Sequence, residues 1–189
     1  MARWKPDAAG RLASAAMELY GEYGFEQTTV AEIAERAGLT ERTFFRHFAD
    51  KREVLFGGAA ELEAFLLEGV LAAPADAAPI EIVAAALRRV DGLFAERRSF
   101  ARRRQAIIDA NPELQERELI KLARLAAVLA AALRDRGIGE PEASLAAEAG
   151  IAVFRVGFER WIADPDDGPG LGRVMDDLFG SLRAVTAAG

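Results

Sequence analysis

The stretch "IAERAGLTERTFF", residues 33–45, carries the signals that decide the fold. Its first residues follow a helical pattern that ends at Ala37 and Gly38, and a new helical pattern starts two residues later. Glycine permits such a sharp turn because it has no Cβ atom and readily adopts a positive φ angle. Two short helices joined by a tight turn have the dimensions of a helix-turn-helix unit.

The helical period continues on both sides of this stretch, and strand alternation is almost absent. Before it, one helix ends at Gly24 and carries an apolar stripe of Leu12, Ala16, Leu19, Tyr20 and Tyr23. Thr29 and Glu32 have the spacing of a capping box, which predicts the start of a short second helix. Further helices are predicted over residues 50–71, 79–99, 100–110, 113–136, 141–163 and 171–187. The chain is therefore expected to be all-α, with about nine helices.

Successive residues of a helix are 100° apart around its axis, and this spacing gives the third helix two edges of different chemistry. Phe44 and Phe48 share one edge, which predicts that they pack against the first two helices. Arg42 and Arg46 lie opposite them, with Thr43 alongside. An arginine can bond bidentately to guanine, and threonine can contact a thymine methyl group, in the major groove of DNA. This edge is therefore a candidate for base contacts, although solvated helix charges would show the same pattern.

Side chains around this edge are suited to phosphate oxygens or to apolar contact with DNA, and the helix starts at Thr29 and Thr40 add backbone N–H donors. The predicted DNA-contacting set is Thr28, Thr29, Thr40, Glu41, Arg42, Thr43, Phe45, Arg46, His47 and Lys51. Arg11 is also predicted to contact the DNA backbone. Arg3 and Lys5 are interpreted as a tail, and the alternative is that the three residues form a basic arm beside the minor groove.

The net charge of −6 does not by itself point to nucleic acid. Residues 42–52, however, contain four basic side chains and only one acidic side chain, Asp50. Binding to phosphates needs only a local basic patch, so the acidic total is weak evidence against DNA.

Several other classes of protein receive no support from the composition. The chain has no cysteine and one histidine, which leaves no thiolate metal site, no disulfide framework and no catalytic triad with a second histidine. We therefore expect no enzyme activity, no cofactor and no metal. No apolar run reaches the roughly 20 residues of a membrane span, so a cytoplasmic protein without membrane contact is expected.

Residues 11–55 resemble the DNA-binding domain of the TetR family of bacterial transcriptional regulators. The resemblance rests on Gly24-Phe25, the Thr28-Thr29 pair, Ile33-Ala34, Ala37-Gly38, Thr43-Phe44-Phe45, His47-Phe48 and Lys51. It implies a homodimer that binds a palindromic operator in double-stranded DNA and releases it when a small-molecule effector enters the C-terminal domain. In that family the position of Phe45 most often holds tyrosine, so a hydroxyl contact with the DNA backbone is missing here.

The resemblance implies two domains, with helix 50–71 as the lever between them. Residues 1–55 would form the helix-turn-helix DNA-binding domain, and residues 56–189 would form the helical ligand-binding and dimerisation domain. A repressor is the expected function. A transcriptional activator, and a protein of this fold that binds ligand without an operator, remain as alternatives.

Aromatic residues in the C-terminal half suggest a ligand pocket, because apolar cavities with a few polar groups are where small molecules bind. The other interpretation is that these aromatic residues are core, which is the usual place of aromatic side chains on helices. The predicted pocket set is Phe94, Phe100, Arg104, Ile107, Leu125, Phe154, Phe158 and Trp161. This half also resembles a TetR subgroup with acyl-CoA-like ligands, which implies a small apolar or acyl-type effector.

The run "RRSFARRR", residues 97–104, is the most basic segment of the chain. Arg97 and Arg98 could stabilise the C-terminal end of the preceding helix through its dipole. Alternatively, the run could form a site for the anionic head group of an acidic ligand.

Helix 141–163 is rich in alanine and glycine, which favours close approach of another helix. The resemblance implies that helices 141–163 and 171–187 pair with their symmetry mates in a homodimer. The other interpretation is tight packing within one subunit.

Overall fold

The computed structural model describes residues 8–95 and 97–187, and every regular element in these ranges is helical. The helices are α1 (Ala8–Tyr23), α2 (Val30–Arg36), α3 (Glu41–His47), a 3₁₀ helix (Glu53–Phe56), α4 (Ala59–Ala72), α5 (Pro79–Arg88), α6 (Asp91–Phe94), α7 (Arg98–Asp109), α8 (Pro112–Asp135), α9 (Glu142–Ala163) and α10 (Leu171–Thr186). The all-α fold class is confirmed.

Two predicted helices are interrupted. Residues 50–71 do not form one helix, because Gly57 and Gly58 separate the 3₁₀ helix from α4 and glycine is a poor helix former. The region 79–99 divides into α5 and the four-residue α6, and α7 begins at Arg98. The backbone N–H groups that follow α5 bond three residues back, which tightens and ends the helix.

The chain forms two compact units, and the division is not the one predicted from the sequence. The first unit contains the described residues up to Gly58 together with Arg103–Glu118, and the second contains Ala59–Arg102 and the described residues from Leu119 onward. A continuous second domain over 56–189 therefore does not describe residues 103–118. They belong to the first unit because Ile108 and Leu114 are fully buried in its core.

The core of the first unit forms where α1, α2 and α3 meet. Leu12, Ile33 and Phe44 have no exposed surface, and they belong to one apolar cluster. The predicted stripe of α1 is buried from Leu12 to Tyr20, but Tyr23 at its end is largely exposed. The apolar cluster that α3 shares with α1 and α2 thus holds α3 by its Phe44 edge.

The second unit is held together by close helix contacts at glycines. A Cβ atom at Gly69 of α4 would lie 2.7 Å from the Cα atom of Ala86 in α5. At Gly150 and Gly157 of α9 it would approach side chains of α5 and α10. The inward-facing small residues of α9 therefore serve packing within the chain, as the second interpretation expected.

We expect Gly69→Ala to lower the free energy of unfolding by about 1–3 kcal/mol, because the added methyl group meets backbone that cannot move aside. Gly21→Ala is the matched control, since an added Cβ atom meets nothing within 4 Å there. That control should be neutral or stabilise by up to about 1 kcal/mol through helix propensity. Urea unfolding of both variants measures the difference, and equal effects would contradict the packing argument.

Candidate nucleic-acid interface and ligand cavity

The turn between α2 and α3 has the geometry that the sequence predicted. Gly38 has a φ angle of 63°, which confirms the reason for glycine at this position. The N–H group of Leu39 donates to the Ala34 carbonyl at 2.8 Å and closes the turn. The Arg11 guanidinium donates to the Ala37 and Gly38 carbonyls from α1. Arg11 is therefore engaged in holding the turn, which departs from its predicted DNA-backbone contact, and Arg3 and Lys5 lie outside the described residues.

The two edges of α3 differ as predicted. Phe44 is fully buried and lies 5.5 Å from Phe48, ring centroid to ring centroid. Phe45 lies on the flank of the helix, where it is 55% exposed and its ring meets that of Phe44 edge to face at 5.5 Å. Glu41, Arg42, Arg46 and His47 are also exposed, and Thr43 is half-buried.

The two arginines of this outer edge are not engaged by acidic side chains. Among the residues the structure describes, Arg42 forms no ion pair, and Arg46 contacts only His47, at 3.5 Å. Arg36 on α2 differs, because it pairs with Glu18 and Glu22 of α1. These hydrogen bonds lower the pKa of the Glu22 carboxyl and raise the pKa of Arg36. Arg42 and Arg46 therefore have no acidic partner in the described part of the chain.

Thr29 and Thr40 cap the two short helices. The Thr40 hydroxyl accepts from the Thr43 N–H at 3.2 Å, and its oxygen lies 3.0 Å from the Thr43 hydroxyl. Thr29 and Glu32 form the predicted capping box, with the Thr29 N–H donating to the Glu32 carboxylate at 2.8 Å. These bonds from Thr29 lower the pKa of Glu32, since they favour its charged form. Both threonines remain exposed beside the outer edge of α3.

Two residues of the predicted DNA-contacting set are internal to the first unit instead. Thr28 is 2% exposed, and its hydroxyl donates to the Gly24 carbonyl at 2.8 Å. The Lys51 ammonium uses its three N–H donors on the carbonyls of Phe25, Glu26 and Thr28, at 2.8–3.1 Å. Both side chains fix the segment between α1 and α2, so their role is structural. A sequence pattern of small polar and basic residues cannot show which of them the fold turns inward.

A ring cluster in the second unit joins four of the predicted pocket residues. The Phe94 ring contacts those of Phe154, Phe158 and Trp161, with centroids 5.8–6.5 Å apart. Beside it lies a cavity of about 290 Å³, lined by Phe94 and Trp161 together with polar side chains from the starts of α6 and α7 and the segment between α9 and α10.

The other four predicted pocket residues are placed differently. Arg104 belongs to the first unit, where it donates to the Leu55 carbonyl at 2.6 Å and pairs with Glu118. Ile107 packs against the core of that unit. Leu125 is buried in the core of the second unit, and Phe100 is exposed without lining the cavity. For Arg104 and Ile107 the helical pattern gave no warning, because α7 passes from the second unit into the first between Arg102 and Arg103.

Arg98 is the cavity residue whose burial the sequence did not predict. It begins α7, is 7% exposed, and donates to the carbonyls of Pro165, Gly168 and Pro169. Its guanidinium also lies 5.0 Å from the ring centre of Trp161. Because it stands at the start of a helix, the predicted stabilisation of a preceding helix end does not apply to it.

Within the described ranges, no cluster of His, Cys, Asp or Glu is arranged to hold a metal ion. A search of the same ranges for a helix long and apolar enough to cross a bilayer finds none.

A three-helix unit that presents the exposed edge of α3 after a tight glycine turn is a helix-turn-helix unit, an element that characterises one class of DNA-binding proteins. Comparison with known families gives the same class. The family model described as "Bacterial regulatory proteins, tetR family" matches residues 12–56, and the model described as "MftR C-terminal domain" matches residues 77–187. The chain belongs to the TetR family and is a transcriptional regulator, as the resemblance implied. The expectation that it is not an enzyme is confirmed by this membership.

Relatives of known sequence match only part of this chain. The transcriptional regulator TcmR of Streptomyces glaucescens is 39% identical over 77 residues, which are 41% of this chain and 34% of TcmR. A Mycobacterium tuberculosis regulator is 36% identical over 55 residues, which are 29% of each chain. The chain thus spans about a third of the length of the curated relatives it matches.

Solved structures match over almost the whole chain. A TetR-family regulator from Mesorhizobium loti has a TM-score of 0.61 at 20% identity, covering 94% of this chain and 96% of that one. FadR from Bacillus subtilis, in complex with stearoyl-CoA, has a TM-score of 0.60 at 20% identity, covering 89% and 94%. At such identity, the likeness shows the fold alone.

Proposed function

We propose that this regulator is a repressor, which dissociates from a palindromic operator when a small apolar or acyl-type effector binds its second unit. The supporting observation is the geometry of α3. Phe44 anchors one edge of the helix, while Arg42 and Arg46 are exposed and unpaired by described acids on the other edge. In this position the guanidinium groups can donate to the N7 and O6 acceptors that guanine presents in the major groove.

The proposal assigns different tasks to the outer side chains of α3 and its surroundings. Arg42, Thr43 and Arg46 contact base edges, while Thr29, Thr40 and His47 contact phosphates. Glu41 lies at the first turn of α3, where its carboxylate can accept from a cytosine amino group. The Phe45 ring contributes apolar contact only, since it has no hydroxyl group.

We further propose that α9 and α10 form the homodimer interface. The outer face of α9 carries an apolar stripe of Leu145, Ala149, Ala152 and Val156 at helical spacing, with Leu145 65% and Val156 47% exposed. On α10, Gly180 has nothing within 4 Å of an added Cβ atom, so this face is open to another helix. A twofold interface would bring each stripe against its own copy.

Val156→Glu tests the dimer. In a twofold interface the substitution places two carboxylates near each other within an apolar stripe, so the dissociation constant of the dimer should rise about 100-fold or more. Leu119→Glu is the control, because Leu119 is similarly exposed but lies on α8. Light scattering during gel filtration measures the mass of each variant. A dimer that persists in Val156→Glu, or dissociates equally in both variants, excludes this interface.

Effector action would follow from linkage between two sites. The two α3 helices of a dimer must lie about one DNA turn apart, roughly 34–36 Å, to contact both half-sites. An effector that prefers a conformation with another spacing lowers the affinity for DNA, typically by about 1–3 kcal/mol. We propose α4 as a lever, since it is the helix through which the chain first leaves the DNA-binding unit, after Gly57 and Gly58.

Footprinting on the DNA upstream of the protein's own coding region tests the proposal. We expect protection of a palindromic site with half-site centres roughly 34–36 Å apart, together with loss of transcription from that promoter in vitro. Increased transcription would identify an activator. Absence of any protected site, combined with no selection from a random DNA pool, would favour a ligand-binding protein without an operator.

A further inference from the structure

We infer that the cavity beside Arg98 binds a compact carboxylate with a ring-sized apolar body, and that such acids are the effectors of this protein. Their role as effectors rests on the function proposed above. The binding site itself rests on the charge, the hydrogen-bond inventory and the size of the cavity, each of which is independent of DNA.

The first observation is a buried cation without an anion. Arg98 forms no ion pair with any carboxylate in the described part of the chain, and its partners are three neutral carbonyls and the face of Trp161. Its Nε atom is buried and has no hydrogen-bond partner among the residues that the structure describes. A buried charge that lacks an opposite charge, and a buried donor that lacks an acceptor, are both costly. An anionic oxygen at this position would satisfy both.

The second observation is that Arg98 opens α7. The amino-terminal end of a helix carries a partial positive charge from its aligned peptide dipoles, so a cation is unfavourable there and an anion is favourable. The interpretation of the basic run as an anion site therefore gains support, but for Arg98 alone. Arg97 pairs with Glu61 and Arg102 pairs with Asp166, while Arg103 and Arg104 belong to the first unit.

The two acidic side chains that line the cavity are already engaged. Asp91 accepts from the Gly172 N–H at 2.6 Å, at the start of α10, and Asp166 pairs with Arg102 at 3.2 Å. In contrast, the Ser99 hydroxyl and the Trp161 indole N–H make no hydrogen bond to the described residues. The lining thus has unused donors beside two acidic side chains that already have partners of their own, so a carboxylate ligand would bind on the Arg98 side of the cavity.

The size of the cavity limits the ligand. Its volume of about 290 Å³ is roughly twice that of the ~150 Å³ apolar cavity that holds one benzene molecule. One or two rings with an acidic group would fill it, and the Phe94 and Trp161 rings provide apolar walls. The cavity is open to solvent at Asp91, Ala95 and Ser99, so a long acyl chain carrying a nucleotide would extend out of it, whereas a compact acid would be held within it. The inferred class is therefore narrower than the acyl-type effectors proposed above.

The test is direct binding of benzoate, salicylate and 2-naphthoate to the full-length protein without DNA. In a Trp4→Phe background Trp161 is the sole tryptophan, so its fluorescence reports on the cavity. We expect saturable binding of at least one acid, with 2-naphthamide binding about tenfold weaker or worse than 2-naphthoate because it cannot form charge-assisted hydrogen bonds.

Three variants locate the site. Arg98→Lys keeps the charge but removes Nε–H and the planar fork, and should weaken binding of the acid about tenfold. Ser99→Phe fills the cavity without altering Arg98 and should abolish binding. Arg97→Gln is the matched control, since Arg97 is exposed and does not line the cavity. Far-UV circular dichroism shows whether each variant is folded. If Arg98→Lys does not fold, Ser99→Phe alone tests whether the acid binds in this cavity.

The inference is overturned if none of the three acids binds saturably, if the amide binds as well as the acid, or if Ser99→Phe leaves binding unchanged. Tight binding of stearoyl-CoA that competes with no acid would equally overturn it. The function proposed above fails separately, through absence of a protected operator. An acid that binds at Arg98 without releasing an otherwise functional repressor would leave the site intact and overturn its role as effector site.

Discussion

Simultaneous replacement of Arg42 and Arg46 by alanine should reduce operator affinity about 1000-fold or more, to the level of non-specific DNA. Each bidentate arginine–guanine pair contributes about 1–3 kcal/mol of discrimination, and a dimer would present both arginines twice. Specific binding typically exceeds non-specific binding by about 10³–10⁷. The helix itself should remain folded, because both side chains are exposed and the buried edge of α3 is unchanged.

A lysine pair at the same positions separates recognition of bases from simple charge. Arg42→Lys with Arg46→Lys retains both cations, so the dependence of binding on salt should change little. It loses the planar guanidinium fork, so discrimination between operator and random DNA should fall. Fluorescence anisotropy with both DNAs, at two or more salt concentrations, measures the two quantities. Arg36→Ala is the control, since that guanidinium is held by acids of α1.

Unchanged operator affinity in the alanine variant would show that α3 is not the recognition helix. Loss of affinity for operator and random DNA in equal proportion would instead assign both arginines to phosphates.

Phe44→Ala should lower the free energy of unfolding of the first unit by about 3–5 kcal/mol, whereas Phe45→Ala should change it by no more than about 0.5 kcal/mol. The two residues are adjacent and chemically identical, but the first has no exposed surface and the second is 55% exposed. Removing the Phe44 ring leaves a cavity among α1, α2 and α3. Since small domains are stable by only about 5–15 kcal/mol, this loss is a large fraction of the total.

Hydrogen exchange of the α1–α3 amides during denaturant titration is the suitable measurement, because the two units need not unfold together. At a temperature where both variants are folded, Phe45→Ala should weaken DNA binding while Phe44→Ala retains it. Similar losses of stability in the two variants would mean that α3 does not dock by the Phe44 edge.

The sequence predicted the helix-turn-helix because its determinants are local. Gly38 at the turn, the Thr29–Glu32 capping box and the burial of Phe44 beside the exposed Phe45 each depend on residues close together in the chain. The outward direction of Arg42 and Arg46 followed from the helical period alone.

Other features depend on contacts that are distant in the chain, and the sequence did not predict them. Arg98 is buried by residues 67–71 positions away, and Arg104 bonds to a carbonyl 49 positions away. Thr28 and Lys51 resembled surface residues in composition, but the loop after α1 uses them to satisfy its own polar groups. The i, i+4 and i+7 spacing correctly placed Phe154, Phe158 and Trp161 on one face of α9. The adjoining cavity could not be predicted in this way, because part of its lining comes from the segment between α9 and α10.

The burial of Ile108 and Leu114 with the first unit has a consequence for protein engineering. DNA-binding specificity in modular regulators is often exchanged by joining two proteins at a single cut point. Here, a fragment that stops at Gly58 would lack Ile108 and Leu114, and the apolar residues that pack against them would be exposed. The Leu55 carbonyl would also lose its hydrogen bond from Arg104. A chimera that transplants this unit should therefore carry two segments, residues 1–58 and 103–118, into its host.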